Sequence, residues 1–157
     1  MIAIKHFREC IVRPALDQLK LHMMNREELL VITCAQETLG GTYLKQSDSL
    51  GYPKGPALGI YQEEPDTYRD CWNSFLRYHD TLIGRIDYSP VDDMQRLVYD
   101  MRYATMMACL QYYRFSESIP DDLEGMFRYY KKYWNTDKGG ASITAVRKNY
   151  ISFIHSA

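Results

Sequence analysis

The sequence lacks any concentration of positive charge. Its 19 Lys and Arg face 20 Asp and Glu, for a net charge of −1, so nothing in it attracts nucleic acid or an anionic lipid surface. It also lacks a long apolar run: no stretch approaches the roughly 20 residues that a membrane span requires. The opening residues, Met1-Ile2-Ala3-Ile4-Lys5-His6, lack the apolar centre and small-residue cleavage site of a secretory signal. Cys10, Cys34, Cys71 and Cys109 lie far apart, without CxxC spacing. They read as reduced core residues of a protein made in a reducing cytoplasm. The histidines, His6, His22, His79 and His155, are scattered with no Cys or carboxylate at ligand spacing, which argues against a metal site. No Gly-rich phosphate loop follows a strand, and no nucleophile elbow occurs. Period-two alternation, internal repeats and low-complexity segments are absent as well. The expectation is a protein without metal or cofactor, and with no nucleic acid or membrane among its partners.

What is present is an ordinary globular composition, 46% apolar and 25% charged. The 157 residues suit a single domain, 1–157, with one core. Helical periodicity dominates. A first helix is expected over 6–22, where Phe7, Ile11, Ala15 and Leu19 recur at helical spacing. Pro14 either kinks it or moves its start to about Arg13. Asn25, with Glu28 three residues on, has the form of a capping box and opens a second helix over about 26–38. Pro65 suits the first position of a third helix, and Glu63, Glu64 and Asp66 stand where negative charge favours the helix dipole. Tyr68, Cys71, Trp72, Phe75 and Leu76 form its buried stripe, which fades before Gly84.

Ser89-Pro90-Val91-Asp92 is an N-terminal signature for a long, central fourth helix over about 90–113. Its stripe is Met94, Leu97, Val98, Met101, Ala104, Met107, Ala108 and Gln111. Ser118-Ile119-Pro120-Asp121 repeats the signature for a fifth helix through about 134, with Leu123, Met126, Phe127, Tyr130 and Trp134 inward. A last helix is expected over 142–154. The class is all-α, with about six helices around a central one. The 14 Tyr are a surplus that half-wet helix packing accounts for; stacking on sugars or flat ligands is the other use of the ring.

The segment 37–67 carries the chemistry. Leu30, Cys34 and Glu37 share one helical face, which is apolar until it reaches the carboxylate. Two readings stand here. Glu37 is a partly desolvated acid with a raised pKa, as a general acid near neutral pH requires, or it points to solvent and caps a neighbour. Gly40-Gly41 stops the helix, and 46–56 is a loop rich in Gly, Ser, Asp and Pro. Then comes Pro56-Ala57-Leu58-Gly59-Ile60-Tyr61-Gln62-Glu63-Glu64-Pro65-Asp66-Thr67.

This pattern resembles the lytic transglycosylase and goose-type lysozyme family. Members carry a helix ending in Glu-Ser and, after a loop, Gly-Ala-x-Gly-Leu-Met-Gln, two apolar residues and Pro-x-Thr. Glu37-Thr38, Ala57, Gly59, Gln62, Pro65 and Thr67 stand in those places. Asp100, Ala104, Met107 and Ala108 occupy the positions of the family's central Asn, small residue and Tyr-Leu. Tyr133-Trp134-Asn135 is similar to its late Tyr-Asn-Ala-Gly motif, with one residue inserted. The likeness spans about 27–140. The chain departs from the pattern in a longer loop, in Pro56 for Gly, in Glu63 and Glu64 for two apolar residues, and in the central Asn and Tyr.

The resemblance implies a lysozyme-like fold and cleavage of peptidoglycan at the MurNAc–GlcNAc β-1,4 bond. Glu37 would protonate the glycosidic oxygen and then act as base while the sugar's own 6-hydroxyl closes a 1,6-anhydro ring, where ordinary glycosidases use a second carboxylate. The substrate-binding residues it implies are Thr38, Gly59, Tyr61, Gln62, Tyr133 and Asn135. Gly59 would let backbone approach the sugar, and Gln62 would line the cleft. Glu63 or Glu64 as a second carboxylate would make the protein a hydrolytic lysozyme; otherwise they only start a helix. A wall-degrading motif without an export signal implies a phage protein, incorporated into the virion or released to the cell wall. Its partners would be peptidoglycan glycan strands and phage tail or other virion proteins. A non-catalytic virion subunit on the same scaffold is the alternative of another class, since fold does not determine function.

Overall fold

The computed structural model describes residues 1–47, 53–87, 94–136 and 139–156. The Ser89-Pro90-Val91-Asp92 signature and positions 48–52 of the expected loop lie outside the described residues. The described chain is predominantly helical, with one two-stranded sheet.

Helix α1 covers 4–19 and is π-helical over Phe7–Val12. Pro14 has no N–H, and its ring crowds the carbonyl four residues back. The wider turn ahead of it absorbs the misfit, with the Arg13 N–H reaching the Arg8 carbonyl. The proline therefore neither ends nor restarts the helix. Helix α2, Met24–Thr38, begins without a side-chain cap. The expected capping box is not formed, because both of its members are engaged elsewhere. Asn25 donates to the Ile119 carbonyl and to Asp121 (both 3.1 Å), and Glu28 accepts from Arg8 (2.9 Å) and Tyr150 (2.7 Å).

The expectation of no strand is also corrected. Strand β1, Lys45–Ser47, pairs antiparallel with β2, Pro53–Leu58, Lys45 lying opposite Leu58. Three residues are too few to show alternation, so the pairing left no mark in the sequence. Helix α3, Pro65–Ser74, gives way to a 3₁₀ turn, Leu76–Tyr78, and to α4, Asp80–Arg85.

The single helix expected over 90–113 is broken. Helix α5 is Arg96–Tyr99, and α6 is Met101–Tyr113. Between them Asp100 is extended (φ −118°, ψ 93°), and its carboxylate accepts from the Tyr103 N–H at 2.9 Å. A carboxylate that caps the next turn competes with continuing the helix. The fifth helix likewise starts later than Ser118. Helix α7, Leu123–Tyr130, is capped by Asp122 and widens into a π turn, Lys131–Asn135. Leu123, expected inward, is 43% exposed. Helix α8, Ile143–Ile154, has the expected extent, and Ser142 caps it, its hydroxyl accepting from the Ala145 N–H at 3.1 Å.

The centre consists of two buried helices rather than one. Leu29 to Ala35 of α2 and Tyr103 to Tyr112 of α6 are enclosed, and Thr33 pairs with the Tyr112 hydroxyl at 2.8 Å. Helices α6, α7 and α8 pack on α2, and α1 packs on α6. Each fully buried Leu, Ile or Phe contributes about 1.5–3 kcal/mol. An exposed ion pair such as Arg69–Asp66 is worth at most about 1 kcal/mol, so the apolar core decides the fold. Cys34, Cys71 and Cys109 belong to it as expected, whereas Cys10 is exposed; all four are free thiols.

One charged group sits inside this core. Glu27 is fully buried and accepts from Arg8, Arg13 and His22, each at 3.0 Å. Burial alone would push its carboxyl up; the bonds from Arg13, His22 and Arg8 hold it below the usual carboxylate value. His22 also faces Asp17 at 3.5 Å. No helix among the described residues is long and apolar enough to cross a membrane.

A tight turn joins the sheet to α3 and positions the cleft described below. The Leu58 and Glu63 backbones exchange hydrogen bonds of 3.0 and 2.9 Å, with Gly59 at φ +75° and Gln62 at φ 49°. A Cβ on Gly59 would lie 2.1 Å from the Leu97 carbonyl oxygen. Gly59→Ala is therefore expected to lower stability by about 3 kcal/mol, combining left-handed strain with overpacking. Urea unfolding checks this, and a loss below about 1 kcal/mol would contradict the close approach.

Candidate active site

Glu37 lies in the last turn of α2, where the apolar stripe ends. It borders a cleft of about 630 Å³, within the ordinary size range of ligand sites. One wall comes from the turn and the start of α3: Gln62, Glu63, Glu64 and Thr67. A second comes from the end of α6: Gln111, Arg114 and Phe115. The third is the π turn after α7, Lys132 to Thr136, with Gly139.

The Glu37 carboxyl is not solvated as a surface carboxylate would be. Burial pushes its pKa up to about 7, the Tyr130 hydrogen bond pulls it down, and the Glu64 charge adds to the rise. The Tyr130 hydroxyl donates to Glu37 Oε1 at 2.5 Å. Burial, with the carboxylate beside it, drives the Tyr130 phenol far above its usual range, so Tyr130 remains a donor at any working pH. A carboxyl poised near 7 is protonated often enough to give a proton and ionised often enough to take one back.

Four of the seven expected site residues meet at the cleft: Glu37, Gln62, Tyr133 and Asn135. Gln62 is nearly buried, and its amide N–H donates to the Gly59 carbonyl at 2.9 Å. The Tyr133 hydroxyl donates to Glu117 at 2.5 Å, and its ring stacks at 4.4 Å on Phe115. Asn135 accepts from Lys131 at 2.6 Å. The other three are not among the cleft-lining residues. Thr38 is fully buried; its hydroxyl donates to the Ile60 carbonyl at 2.8 Å and accepts from the Gly41 N–H at 3.0 Å. That hydroxyl straps the end of α2 to the turn. Tyr61 is 1% exposed and pairs with Thr105 at 3.1 Å. Gly59 faces Leu97. These three shape the cleft from behind.

Several residues of the site escaped sequence reasoning. Tyr130 was expected only as core. Its role follows from the crossing of α7 over the end of α2, which no spacing in the sequence encodes. Trp134 was expected inward; it lines the cleft while its ring lies 5.3 Å from Tyr112. Gln111 had a visible signal, the one that singled out Glu37: a polar residue completing a buried apolar stripe.

Glu63 differs most from expectation. The sequence reading has it either only start a helix or serve as the second carboxylate of a hydrolytic lysozyme. It is 2% exposed, neither carboxyl oxygen has a hydrogen-bond partner, and burial pushes its pKa to about 8, with the Arg114 charge opposing. Arg114 itself is drawn to Asp70 at 2.5 Å. Glu64, by contrast, is exposed. Among the described residues, no three His, Cys, Asp or Glu side chains gather to hold a metal ion.

No protein-family model, curated protein or solved structure matches this chain.

Tyr130→Phe removes a hydrogen bond that favours the ionised form of Glu37. The Glu37 pKa is expected to move upward from about 7, measured by carbon-13 titration of the side chain; a fall would contradict the assigned contact. Glu63→Leu removes a buried carboxyl without partners and is expected to raise stability by roughly 1–3 kcal/mol at neutral pH. The unfolded carboxyl releases its proton near 4.5 and the folded one near 8. Its contribution to wild-type stability therefore falls as pH rises through that window. Urea unfolding near pH 5 and near pH 8 should show the variant's advantage widening with pH; a constant difference would argue against the buried acid.

Proposed function

We propose that the chain is a peptidoglycan-cleaving lytic transglycosylase on a lysozyme-like helical scaffold, with Glu37 as its single acid and base. The observation that carries this reading is the Glu37 carboxyl itself. It is held by Tyr130 at 2.5 Å and raised to about 7 at the edge of a sugar-sized cleft. The placement of Gln62 in the opposite wall supports it, as do the Phe115, Tyr133 and Trp134 rings, whose faces suit the apolar faces of sugars.

In this mechanism the protonated Glu37 donates to the oxygen of the MurNAc–GlcNAc bond. The bond breaks, and an oxocarbenium-like centre develops on the MurNAc ring. Glu37, now ionised, accepts the Tyr130 hydrogen bond. It takes the proton of the sugar's 6-hydroxyl, whose oxygen attacks C1 and closes the 1,6-anhydro ring. The acid is thereby regenerated.

Glu64 favours one second reading. It lines the same cleft, and its charge acts on Glu37, which supports a hydrolytic reaction in which Glu64 activates a water.

Glu37→Gln is expected to cut glycan cleavage by about 10²–10⁴-fold, the usual contribution of a general acid. Wild-type activity should decline as pH rises past about 7, because the acid must enter protonated. Mass analysis of the fragments separates the two chemistries: 1,6-anhydro ends for the transglycosylase, reducing ends for the hydrolase. Unchanged cleavage by Glu37→Gln sinks both. A wild-type protein that binds glycan strands and cuts none leaves the non-catalytic virion subunit.

A further inference from the structure

The cleft walls formed by the turn before α3 and by the end of α6 hold polar atoms that the fold leaves unpaired. Glu63 and Gln111 are 2% and 4% exposed. Both Glu63 carboxyl oxygens, Gln111 Oε1 and Arg114 Nε are buried without a hydrogen-bond partner. All three residues line the cleft. They are also neighbours: Gln111 and Arg114 are three residues apart on one helical face, and the Arg114 charge acts on the Glu63 carboxyl. Burying such atoms unpaired costs stability. The outer end of Arg114 is committed to Asp70, which leaves Nε as its free donor on this side.

We propose that this Glu63–Gln111–Arg114 recess is a subsite for a primary carboxamide on the ligand of the cleft. The donor and acceptor inventory selects that group. Its two N–H bonds match the Glu63 carbonyl oxygen and Gln111 Oε1. The two lone pairs of its carbonyl match the Glu63 O–H and the Arg114 Nε–H. All four unpaired atoms are then satisfied, and no charge is added. A secondary amide leaves one acceptor unmet. A carboxylate meets two acceptor oxygens, and an ammonium meets a guanidinium. The raised pKa of Glu63 agrees with this inventory, since at neutral pH the carboxyl keeps its proton and offers both a donor and an acceptor. The proposal goes beyond the glycan reading and does not need Glu37 chemistry. If that reading holds, the carboxamide belongs to an amidated peptide carried by the glycan.

The test is a titration of the nitrogen-15-labelled full chain with propionamide, followed at the Arg114 Nε–H and Gln111 side-chain amide signals. Propionamide should shift both saturably. N-methylpropionamide should bind more weakly, and propionate and propylammonium should leave both signals in place. Glu63→Leu should abolish the response. Glu63→Gln, which keeps one donor and one acceptor, should retain wild-type affinity within a few-fold. The proposal is overturned if propionamide gives no saturable shift, the recess then holding solvent only. It is equally overturned if N-methylpropionamide or either charged probe binds as tightly, or if Glu63→Leu still responds. These readouts are independent of cleavage. Loss of the glycan reading with an intact propionamide response leaves this subsite standing, and the reverse result removes the subsite alone.

Discussion

The Tyr130 hydroxyl rests 2.5 Å from Glu37, and through that bond the crossing of α7 over the end of α2 becomes chemistry. The helix end alone would leave Glu37 half in water. The packing of α7 removes that water and replaces it with one strong donor, so the carboxyl is desolvated and oriented together. On the other side, the Thr38 hydroxyl ties the same helix end to the Ile60 carbonyl. Glu37 is thus held between two tertiary contacts at the edge of the cleft.

Three acidic side chains show how partners, rather than residue type, determine what a buried charge does. Glu27 is enclosed with two arginines and a histidine on its oxygens. It stays ionised and ties α1 to α2. Glu37 has one hydrogen bond from a neutral donor and an open cleft beside it, and it is poised near neutrality. The Glu63 carboxyl has no hydrogen bond, and desolvation keeps it protonated. A fully satisfied carboxylate is a structural device. An unsatisfied one in a cleft wall is a cost that a ligand can relieve.

Much of the helical fold was legible in the sequence. The α2 and α8 segments have the expected extents to within two residues, and α3 starts at Pro65 as expected but ends at Ser74, because apolar spacing and Pro65 are local signals whereas the break after Ser74 is not. The breaks were not legible. Asp100 reads as one polar residue in a long stripe until its carboxylate is seen on the Tyr103 N–H. Pro14 poses a choice between kink and start that a π turn resolves in neither way. The three-residue strand β1 exists only because β2 lies beside it.

By itself the sequence determined the helical class and the buried stripe that ends in Glu37, both of which rest on interactions between near neighbours in the chain. Only the tertiary structure decided which polar groups reach the cleft. It turned Thr38 and Tyr61 inward as struts, brought Tyr130 onto Glu37 across 93 positions, and closed Glu63 away from water. The physical reason is that desolvation and hydrogen-bond partnership at these sites come from helices distant in sequence, and their crossing is set by the whole core.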